Sequence, residues 1–317
     1  MPESVAPWEA QLTQPEHTII LYVLVVAAFA LLAGTIRSWV TRDEAGSRYR
    51  PAMVARLSVA SIATLSYIIL TVEFARGYTR VGDHYRPNGE AIMSFLPRFM
   101  DWSVTVPLLT AELLAVCTLV GVTARTTQGL AGTGAFLMIA SGFIGAFVIG
   151  GGSDTGALLI WGGISCVFWI FTTVILARAV RQSFPFLTPQ AATLLRNATV
   201  LLLSGWVIYP IVFAIQIFLH GGGWTTVIQV VLCGTDVLVK IGFGGLIHRV
   251  AKLRTAEDVR AGDDVHPESI WISSIKVSDA GRPHEVYLAE GASVHPSRTR
   301  PTTGYAVPDE RPPDLDL

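Results

Sequence analysis

Two side chains of opposite charge lie four residues apart within a long apolar segment. Lys240 is one of three lysines in the chain and stands in the middle of residues 225–250, with Asp236 one helical turn before it. A charged lysine at the centre of a bilayer costs about 2.5–3.5 kcal/mol, so it requires a partner or a chemical use. The pair predicts either a structural ion pair that fixes helix packing, or a lysine that forms a Schiff base with a carbonyl cofactor and has Asp236 in its counter-ion.

A second group of polar side chains follows one face of an earlier apolar segment. Arg98 and Asp101 are three residues apart, and Thr105 follows Asp101 by four. Glu112 lies eleven residues after Asp101, which returns to nearly the same helical face about 16 Å further along. Two carboxylates at different depths on one helix indicate a proton relay. The alternative is a plain Arg98–Asp101 ion pair, with Glu112 reaching toward the lipid headgroups.

Aromatic and small polar side chains on three other apolar segments could wall a long apolar cofactor beside the lysine. They are Tyr67 on the second segment, Trp161, Ser165 and Trp169 on the fifth, and Trp206, Tyr209 and Pro210 on the sixth. Aromatic side chains that face the interior of a bundle more often form an ordinary core, which is the alternative here. Gly162 and Gly163 on the fifth segment indicate close helix packing.

Long membrane helices are needed to position these side chains, and the composition favours such helices. The chain has 317 residues, of which 51% are hydrophobic and 15% charged, whereas soluble domains carry about a quarter charged residues. This composition excludes a disordered chain, a collagen and a disulfide scaffold, and the three cysteines show no metal-binding or disulfide spacing. Seven segments are long enough to cross a bilayer. They are residues 17–39, 52–76, 95–120, 128–150, 156–178, 195–219 and 225–250.

The distribution of basic side chains predicts the orientation. Arginine and lysine are concentrated in the first, third and fifth loops and after the last span, whereas residues 1–16 and the loops at 151–155 and 220–224 contain none. Only the loop at 77–94 departs from this pattern. The positive-inside rule therefore places the N-terminus outside and the C-terminus in the cytoplasm of a multi-pass protein of the plasma membrane. No basic stretch precedes the first span, so we expect no cleavable signal peptide.

Four regions are predicted along the chain. They are an extracellular N-terminus at 1–16, a seven-helix domain at 17–250, a cytoplasmic extension at 251–295 and a disordered tail at 296–317. Residues 251–317 contain 12 acidic and 8 basic side chains, unlike the apolar part. Partial alternation on both sides of a turn predicts a β-hairpin that caps the bundle, and the later Pro, Thr and Arg residues predict disorder. A solvated segment without a role is the alternative.

Three motifs in this order resemble helices three, six and seven of the microbial (type 1) rhodopsins. They are Arg98–Glu112, Trp206–Pro210 and Asp236–Lys240, within a resemblance that covers residues 17–250. The resemblance implies an all-α seven-helix membrane bundle with all-trans retinal bound covalently to Lys240. It implies a light-activated photoreceptor rather than an enzyme, with the lipid bilayer as its surroundings and neither nucleic acid nor metal bound. It also implies a homo-oligomer, a pentamer or a trimer.

The resemblance implies a role for each polar residue. Asp101 is similar to the primary counter-ion and proton acceptor, and Asp236 to the second counter-ion. Arg98 is similar to the arginine that responds to protonation of Asp101. The triplet Asp101, Thr105 and Glu112 resembles that of proteorhodopsin-type pumps, with Glu112 at the cytoplasmic proton-donor position. The implied walls of the retinal pocket are Tyr67, Trp102, Leu109, Met138, Gly142, Ser165, Trp169, Trp206, Tyr209 and Pro210.

Two features depart from the related pumps. Ser66 stands where proteorhodopsins carry a histidine that pairs with the proton acceptor. Residues 220–235 contain no acidic side chain, so the paired glutamates that release protons in bacteriorhodopsin have no counterpart, and Glu73 or Glu90 are the substitutes to consider. Gly162 and Gly163 also allow an alternative to close packing, in which they leave a gap beside the retinal ring for a carotenoid antenna, as in rhodopsins that carry one.

Arg56 is a third departure. It lies eleven residues before Tyr67, and Glu112 lies eleven residues after Asp101, so both are expected at similar depth on neighbouring helices. A guanidinium beside Glu112 favours the ionised carboxylate, which cannot donate a proton, so recovery from illumination becomes slow. This arginine and the C-terminal extension resemble the cryorhodopsin subgroup, which implies a slow photoswitch or photosensor with weak proton transport.

Three alternatives to this interpretation remain open. Arg56 could reach the lipid headgroups instead of pairing with Glu112. The protein could be an efficient light-driven outward proton pump with Glu112 as proton donor, or a seven-helix transporter without a chromophore. The extension after residue 250 could cap the cytoplasmic mouth of the bundle or bind a cytoplasmic signalling partner.

Overall fold

The computed structural model describes residues 5–262. Its long helices are α1 (Gln14–Val40), α2 (Arg50–Gly77), α3 (Leu96–Ala115), α4 (Gly121–Phe143), α5 (Thr155–Ser183), α6 (Pro189–Phe218) and α7 (Gly222–Ala261). Single 3₁₀ turns lie at Pro7–Glu9, Ser47–Tyr49, Ala91–Ser94, Gly150–Gly152 and Phe184–Phe186. These seven helices confirm the predicted seven-helix membrane fold.

Six of the described helices are long and apolar enough to cross a membrane, and α3 is the exception. It carries Arg98, Asp101 and Glu112, all of which are buried. Large apolar side chains lie exposed on the outer faces of the other helices, among them Phe29 and Val40 on α1. The bundle therefore presents apolar surface outward and buries its ionisable side chains inside, as a bilayer requires.

A small antiparallel sheet, which the sequence did not predict, lies at one end of the bundle. Its strands are β1 (Leu12–Thr13), β2 (Tyr78–Val81) and β3 (His84–Pro87), in the order β1-β3-β2, with Thr13 opposite His84 and Arg80 opposite Tyr85. The two-residue turn between β2 and β3 begins with a glycine at φ 62°. We call this end, where α1 and α3 begin, the sheet end of the bundle.

Two π-helical turns interrupt the regular helices. Ile144–Val148 follows α4, and Leu238–Gly242 lies within α7. A π-turn adds a residue to one turn of a helix and is frequent at functional sites. The second turn contains Lys240, which it carries into the bundle interior. Pro107 lies inside α3 and Pro210 inside α6.

The chain divides into two compact units. The first consists of residues 1–42 and 51–250, and the second of residues 43–50 with the described residues after Val250. Within the second unit, Lys252 Nζ lies 2.6 Å from Glu44 Oε2, and the Tyr49 hydroxyl donates to Asp258 Oδ2 at 2.6 Å. The predicted hairpin and the predicted tail at 296–317 lie outside the described residues.

Candidate functional site

Lys240 lies at the centre of a buried cluster of charges. Its Nζ donates a hydrogen bond to Asp101 Oδ2 and lies 3.6 Å from Asp236 Oδ2. The side chains of all three residues are at most 1% exposed. One cation thus faces two carboxylates in an interior where unpaired charges are costly. The structure therefore brings together the predicted lysine and both predicted counter-ions.

Asp236 is held by three hydrogen-bond donors. The Tyr67 hydroxyl donates to Oδ2 at 2.9 Å, and the Tyr209 hydroxyl donates to Oδ1 at 2.6 Å. Trp102 Nε1 lies 3.2 and 3.3 Å from the two carboxylate oxygens. Hydrogen bonds to an ionised acceptor are roughly twice as strong as neutral ones. These three donors satisfy both oxygens of the Asp236 carboxyl group.

Asp101 has fewer partners. Its Oδ2 accepts from Lys240, whereas Oδ1 is buried and has no hydrogen-bond partner among the described residues. The Thr105 hydroxyl donates to the backbone carbonyl of Asp101 at 3.0 Å, as expected for a threonine one turn later in a helix. Asp101 therefore keeps an oxygen that can take up a proton.

Arg98 lies on the sheet-end side of this cluster and is 1% exposed. Its Nη2 lies 3.5 Å from Cys233 Sγ, and its Nη1 lies 3.5 Å from the carbonyl of Ser94. Among the described residues no carboxylate lies within 4.0 Å of the guanidinium. The alternative of a plain Arg98–Asp101 ion pair is therefore wrong, because the guanidinium contacts α7 and the turn before α3 instead.

An apolar cavity of about 260 Å³ lies next to the charge cluster. Eight of the ten predicted pocket residues line it, namely Trp102, Met138, Gly142, Ser165, Trp169, Trp206, Tyr209 and Pro210. Tyr67 and Leu109 are buried but are not part of its lining. Trp102 and Tyr209 both line the cavity and donate hydrogen bonds to Asp236, so they mark the place where the cavity meets the charges.

Two glycines determine the shape of the cavity. A Cβ at Gly142 would lie 3.4 Å from Phe99 and 3.6 Å from the Ser165 hydroxyl, so a larger side chain would narrow the space. A Cβ at Gly162 would lie 2.7 Å from Phe213 Cε1. The Phe213 ring thus packs directly on Gly162, which agrees with close helix packing at this glycine rather than with an open gap.

Glu112 and Arg56 lie on the other side of Lys240, away from the sheet end. A Cβ at Gly244 would lie 3.2 Å from Arg56 Cγ and 3.4 Å from Glu112 Oε1, so both side chains contact the same glycine. Arg56 is 5% exposed, and its Nη1 donates to the Thr41 hydroxyl at 3.3 Å. This burial contradicts the alternative in which Arg56 reaches the headgroups.

Arg56 and Glu112 are neighbours, as predicted, but no hydrogen bond joins them. Both carboxyl oxygens of Glu112 are buried without a hydrogen-bond partner among the described residues. The two side chains are neighbours across Gly244, but no hydrogen bond to the guanidinium holds the carboxyl group. The similar depth of the two residues was predicted from their spacing to Tyr67 and Asp101, which the resemblance places near retinal. Their shared contact with Gly244 agrees with it, whereas the direction of each long side chain depends on local packing.

Sequence reasoning missed Cys233 and Gln229, which contact the same sheet-end region as Arg98. Gln229 Nε2 donates to the carbonyl of Ser94 at 3.3 Å, and Arg98 Nη1 donates to the same carbonyl. The signal was present in the spacing, because residues 229, 233, 236 and 240 follow one face of a helix. Cys233 and Gln229 are not acidic, so the absence of acidic residues from 220–235 gave no indication of them. The Ser66 hydroxyl, in the place of the expected histidine, donates to the Pro97 carbonyl at 3.2 Å.

Comparison with known proteins decides the family. Residues 17–253 match the family described as Bacteriorhodopsin-like protein. The chain belongs to this family. Archaerhodopsin-3 of Halorubrum sodomense is 30% identical to this rhodopsin over 251 residues, which cover 76% of this chain and 89% of that protein. The green-light absorbing proteorhodopsin of Gamma-proteobacterium EBAC31A08 is 24% identical over 239 residues, covering 74% and 87%.

A solved structure supports the same assignment. The crystallographic structure of xanthorhodopsin, a light-driven ion pump with dual chromophore, matches with a TM-score of 0.72 and 28% sequence identity, covering 78% of this chain and 98% of that chain. The predicted resemblance to microbial type 1 rhodopsins is confirmed, and this rhodopsin is a retinal-binding, light-activated membrane protein. A transporter without a chromophore is excluded by this membership.

The residues present fit a retinal Schiff base. Lys240 is the one lysine in the bundle interior among the described residues, and the adjoining cavity is lined mainly by apolar and aromatic side chains. Its volume is close to the lower end of the range of about 300–1,000 Å³ typical of small-molecule pockets. Two carboxylates next to Lys240 supply the negative charge that a buried iminium requires.

Proposed function

We propose that this rhodopsin is a slow photoswitch or photosensor in which light drives a proton from the Lys240 nitrogen to Asp101. All-trans retinal, bound to Lys240 as a protonated Schiff base, supplies the light-driven isomerisation. The observation that carries the proposal is the buried cluster in which Lys240 contacts Asp101, whose second oxygen has no hydrogen-bond partner among the described residues.

The two carboxylates have different roles in this proposal. Asp236 already accepts hydrogen bonds from Tyr67, Tyr209 and Trp102, so it stays an anion. Asp101 has spare acceptor capacity and direct contact with Lys240, so it takes the proton. Arg98 stabilises the negative charge from the sheet end without pairing directly with either carboxylate.

Recovery requires a proton to return to the Lys240 nitrogen from the opposite side. Glu112 is the buried carboxyl group in the described chain on that side, and Arg56 is its neighbour across Gly244. A buried guanidinium near this carboxyl group opposes proton donation, since it favours the carboxylate over the acid. We propose that Arg56 in this way slows recovery, which favours switching over rapid transport, as in the cryorhodopsin subgroup.

A second function, an efficient outward proton pump with Glu112 as donor, has an observation of its own. The Glu112 oxygens have no hydrogen-bond partner among the described residues, and the Arg56 guanidinium therefore donates none to them. A buried carboxylate without donors is costly, so this geometry suits a protonated acid, which is what a proton donor requires.

Flash photolysis and light-induced acidification together test these proposals. The purified protein with retinal should show a visible band that Lys240→Ala abolishes, and illumination should replace it by a near-ultraviolet band that persists for seconds or longer. Recovery within milliseconds, with strong acidification of a cell suspension that a protonophore abolishes, would refute the slow switch and support the pump. Loss of proton transfer in Asp101→Asn is expected in both cases.

The surroundings of the protein are proposed from the same reasoning. The sheet end faces the outside of the plasma membrane, and the C-terminal end of α7 lies in the cytoplasm, as the distribution of basic residues predicts. The chain forms a pentamer or a trimer. Residues after 250 bind a cytoplasmic signalling partner or cap the bundle, and truncation after about residue 262 followed by the recovery measurement distinguishes a cap from a segment without effect.

A further inference from the structure

The thiol of Cys233 is a buried proton-bearing group that contacts Arg98. Its Sγ lies 3.5 Å from Arg98 Nη2, and the residue is 3% exposed. Cys233 precedes Asp236 by three residues in α7, so it lies about one helical turn nearer the sheet end. The thiol therefore stands on the outward side of the site, where no acidic residue of α7 precedes Asp236.

The surroundings of this contact are polar and incompletely hydrogen-bonded. Arg98 and Gln229 both donate to the carbonyl of Ser94, at 3.5 and 3.3 Å. Arg98 Nε and Gln229 Oε1 have no hydrogen-bond partner among the described residues, although the two residues are 1% and 0% exposed. Most buried polar atoms in proteins are hydrogen-bonded. The region around the thiol therefore contains one hydrogen-bond donor, Arg98 Nε, and one acceptor, Gln229 Oε1, without partners among the described residues.

The other titratable groups in this region are less suitable. The Tyr67 ring lies 5.5 Å from the Arg98 guanidinium, but its hydroxyl donates to Asp236. Glu73, considered from the sequence, lies 3.6 Å from Arg76, whose side chain is 65% exposed. Glu90 is exposed. Of the two buried groups that contact Arg98, the thiol is the one whose proton is not already donated to Asp236.

We propose that Cys233 is the group that releases a proton outward when Asp101 takes one, with Arg98 as the positioning residue. This inference rests on the proposed proton transfer to Asp101. Once Asp101 is neutral, the Arg98 guanidinium faces one anion fewer, and a thiolate next to a guanidinium is stabilised. The S–H bond breaks, its electron pair stays on sulfur, and the proton leaves through the sheet end.

The cycle closes without oxidation or reduction. The thiolate and the guanidinium form an ion pair while Asp101 is protonated. When Asp101 loses its proton, its negative charge again stabilises the guanidinium from a distance, and Cys233 takes up one proton and returns to the thiol. One proton thus leaves Cys233 and one returns to it in each cycle.

Infrared difference spectroscopy tests the proposal, because the S–H stretch falls in a region free of other protein bands. The full chain with retinal in lipid vesicles should lose an S–H band on illumination, with the time course of the protonated-carboxyl band of Asp101. Cys233→Ala should abolish this change of the S–H band. The control Cys117→Ala, at a buried thiol that donates a hydrogen bond to the Leu113 carbonyl, should still show the change. An unchanged S–H band while the Asp101 band appears overturns the inference and leaves the proposed function standing. Absence of the Asp101 band overturns both.

Proton release gives a second readout. A pH-sensitive dye in the outer solution should report release as Asp101 becomes protonated in the original protein. Cys233→Ser, whose hydroxyl does not ionise, should delay release until Asp101 loses its proton, and Cys233→Asp should restore early release. Release in Cys233→Ser with unchanged timing overturns the role of the thiol. A purely structural role of Cys233 would not produce rescue by an acidic side chain.

Discussion

Replacement of Arg56 by glutamine tests whether the buried guanidinium sets the rate of recovery. Arg56 Cδ and Glu112 Oε1 would lie 3.5 and 3.4 Å from a Cβ on Gly244, so the Arg56 side chain and the Glu112 carboxyl group are close neighbours. For a separation of about 6 Å and an effective dielectric constant of about 20, Coulomb's law gives about 3 kcal/mol. Since about 1.4 kcal/mol corresponds to a tenfold change in rate, Arg56→Gln is expected to speed recovery by up to about a hundredfold.

The assay is flash photolysis, with the return of the visible band as the signal. Arg56→Lys keeps a positive charge and should recover much closer to the original rate. Arg50→Gln removes an exposed arginine from the first turn of the same helix and should leave recovery unchanged. Equal recovery in Arg56→Gln and Arg50→Gln would refute the proposed role of the guanidinium. If Arg56→Lys were as fast as Arg56→Gln, side-chain shape rather than charge would control the rate.

Two further substitutions test the geometry of the site. Gly244→Ala places a methyl group between Arg56 and Glu112, moves the two side chains apart and should speed recovery roughly twofold. In the control Gly245→Ala, the added methyl group meets no atom within 4 Å, and recovery should not change. Identical flash-photolysis rates in the two variants would contradict this expectation. Tyr209→Phe removes the 2.6 Å hydrogen bond to Asp236 and should lower the free energy of unfolding by about 1.5–3 kcal/mol. The free energy of unfolding is measured from the disappearance of the visible band as denaturant is added. Tyr22→Phe, at a tyrosine that is 68% exposed, is the matched control, and its free energy of unfolding should be unchanged.

The sequence predicted the bundle and the central charges well because membrane burial leaves few choices. A charged side chain within an apolar span must face the interior and find a partner, so helical spacing placed Asp236 beside Lys240. The place of Asp101 beside Lys240 was implied by the resemblance to microbial rhodopsins. The predicted span at 225–250 ends eleven residues before α7 does, since the polar last turns of that helix contain too few apolar residues to be recognised. Helix ends outside the bilayer follow no such constraint.

The features that escaped prediction depend on contacts between distant residues. The strands β2 and β3 are only four residues each. The Gly82-Asp83 turn between them is typical of a hairpin, but the mixed polarity of the flanking residues shows no clear strand pattern. The direction of the Arg98 side chain could not be predicted, because an arginine reaches several partners from one helical position. Its contact with Cys233 on α7 is set by helix packing. A neutral thiol in an apolar run carries no charge signal that would have drawn attention to it.

The difference between the two carboxylates explains how one cluster can both hold a charge and move a proton. Three donors form hydrogen bonds to the Asp236 carboxylate. If Asp236 were protonated, each donor would lose a charged acceptor. Asp101 gives up only its contact with Lys240, which itself becomes neutral when the proton moves. Transfer to Asp101 therefore removes one buried ion pair, whereas transfer to Asp236 would also weaken three charge-assisted hydrogen bonds. In the proposed proton transfer, the number of donors around each carboxylate, more than its distance from Lys240, determines which one accepts the proton.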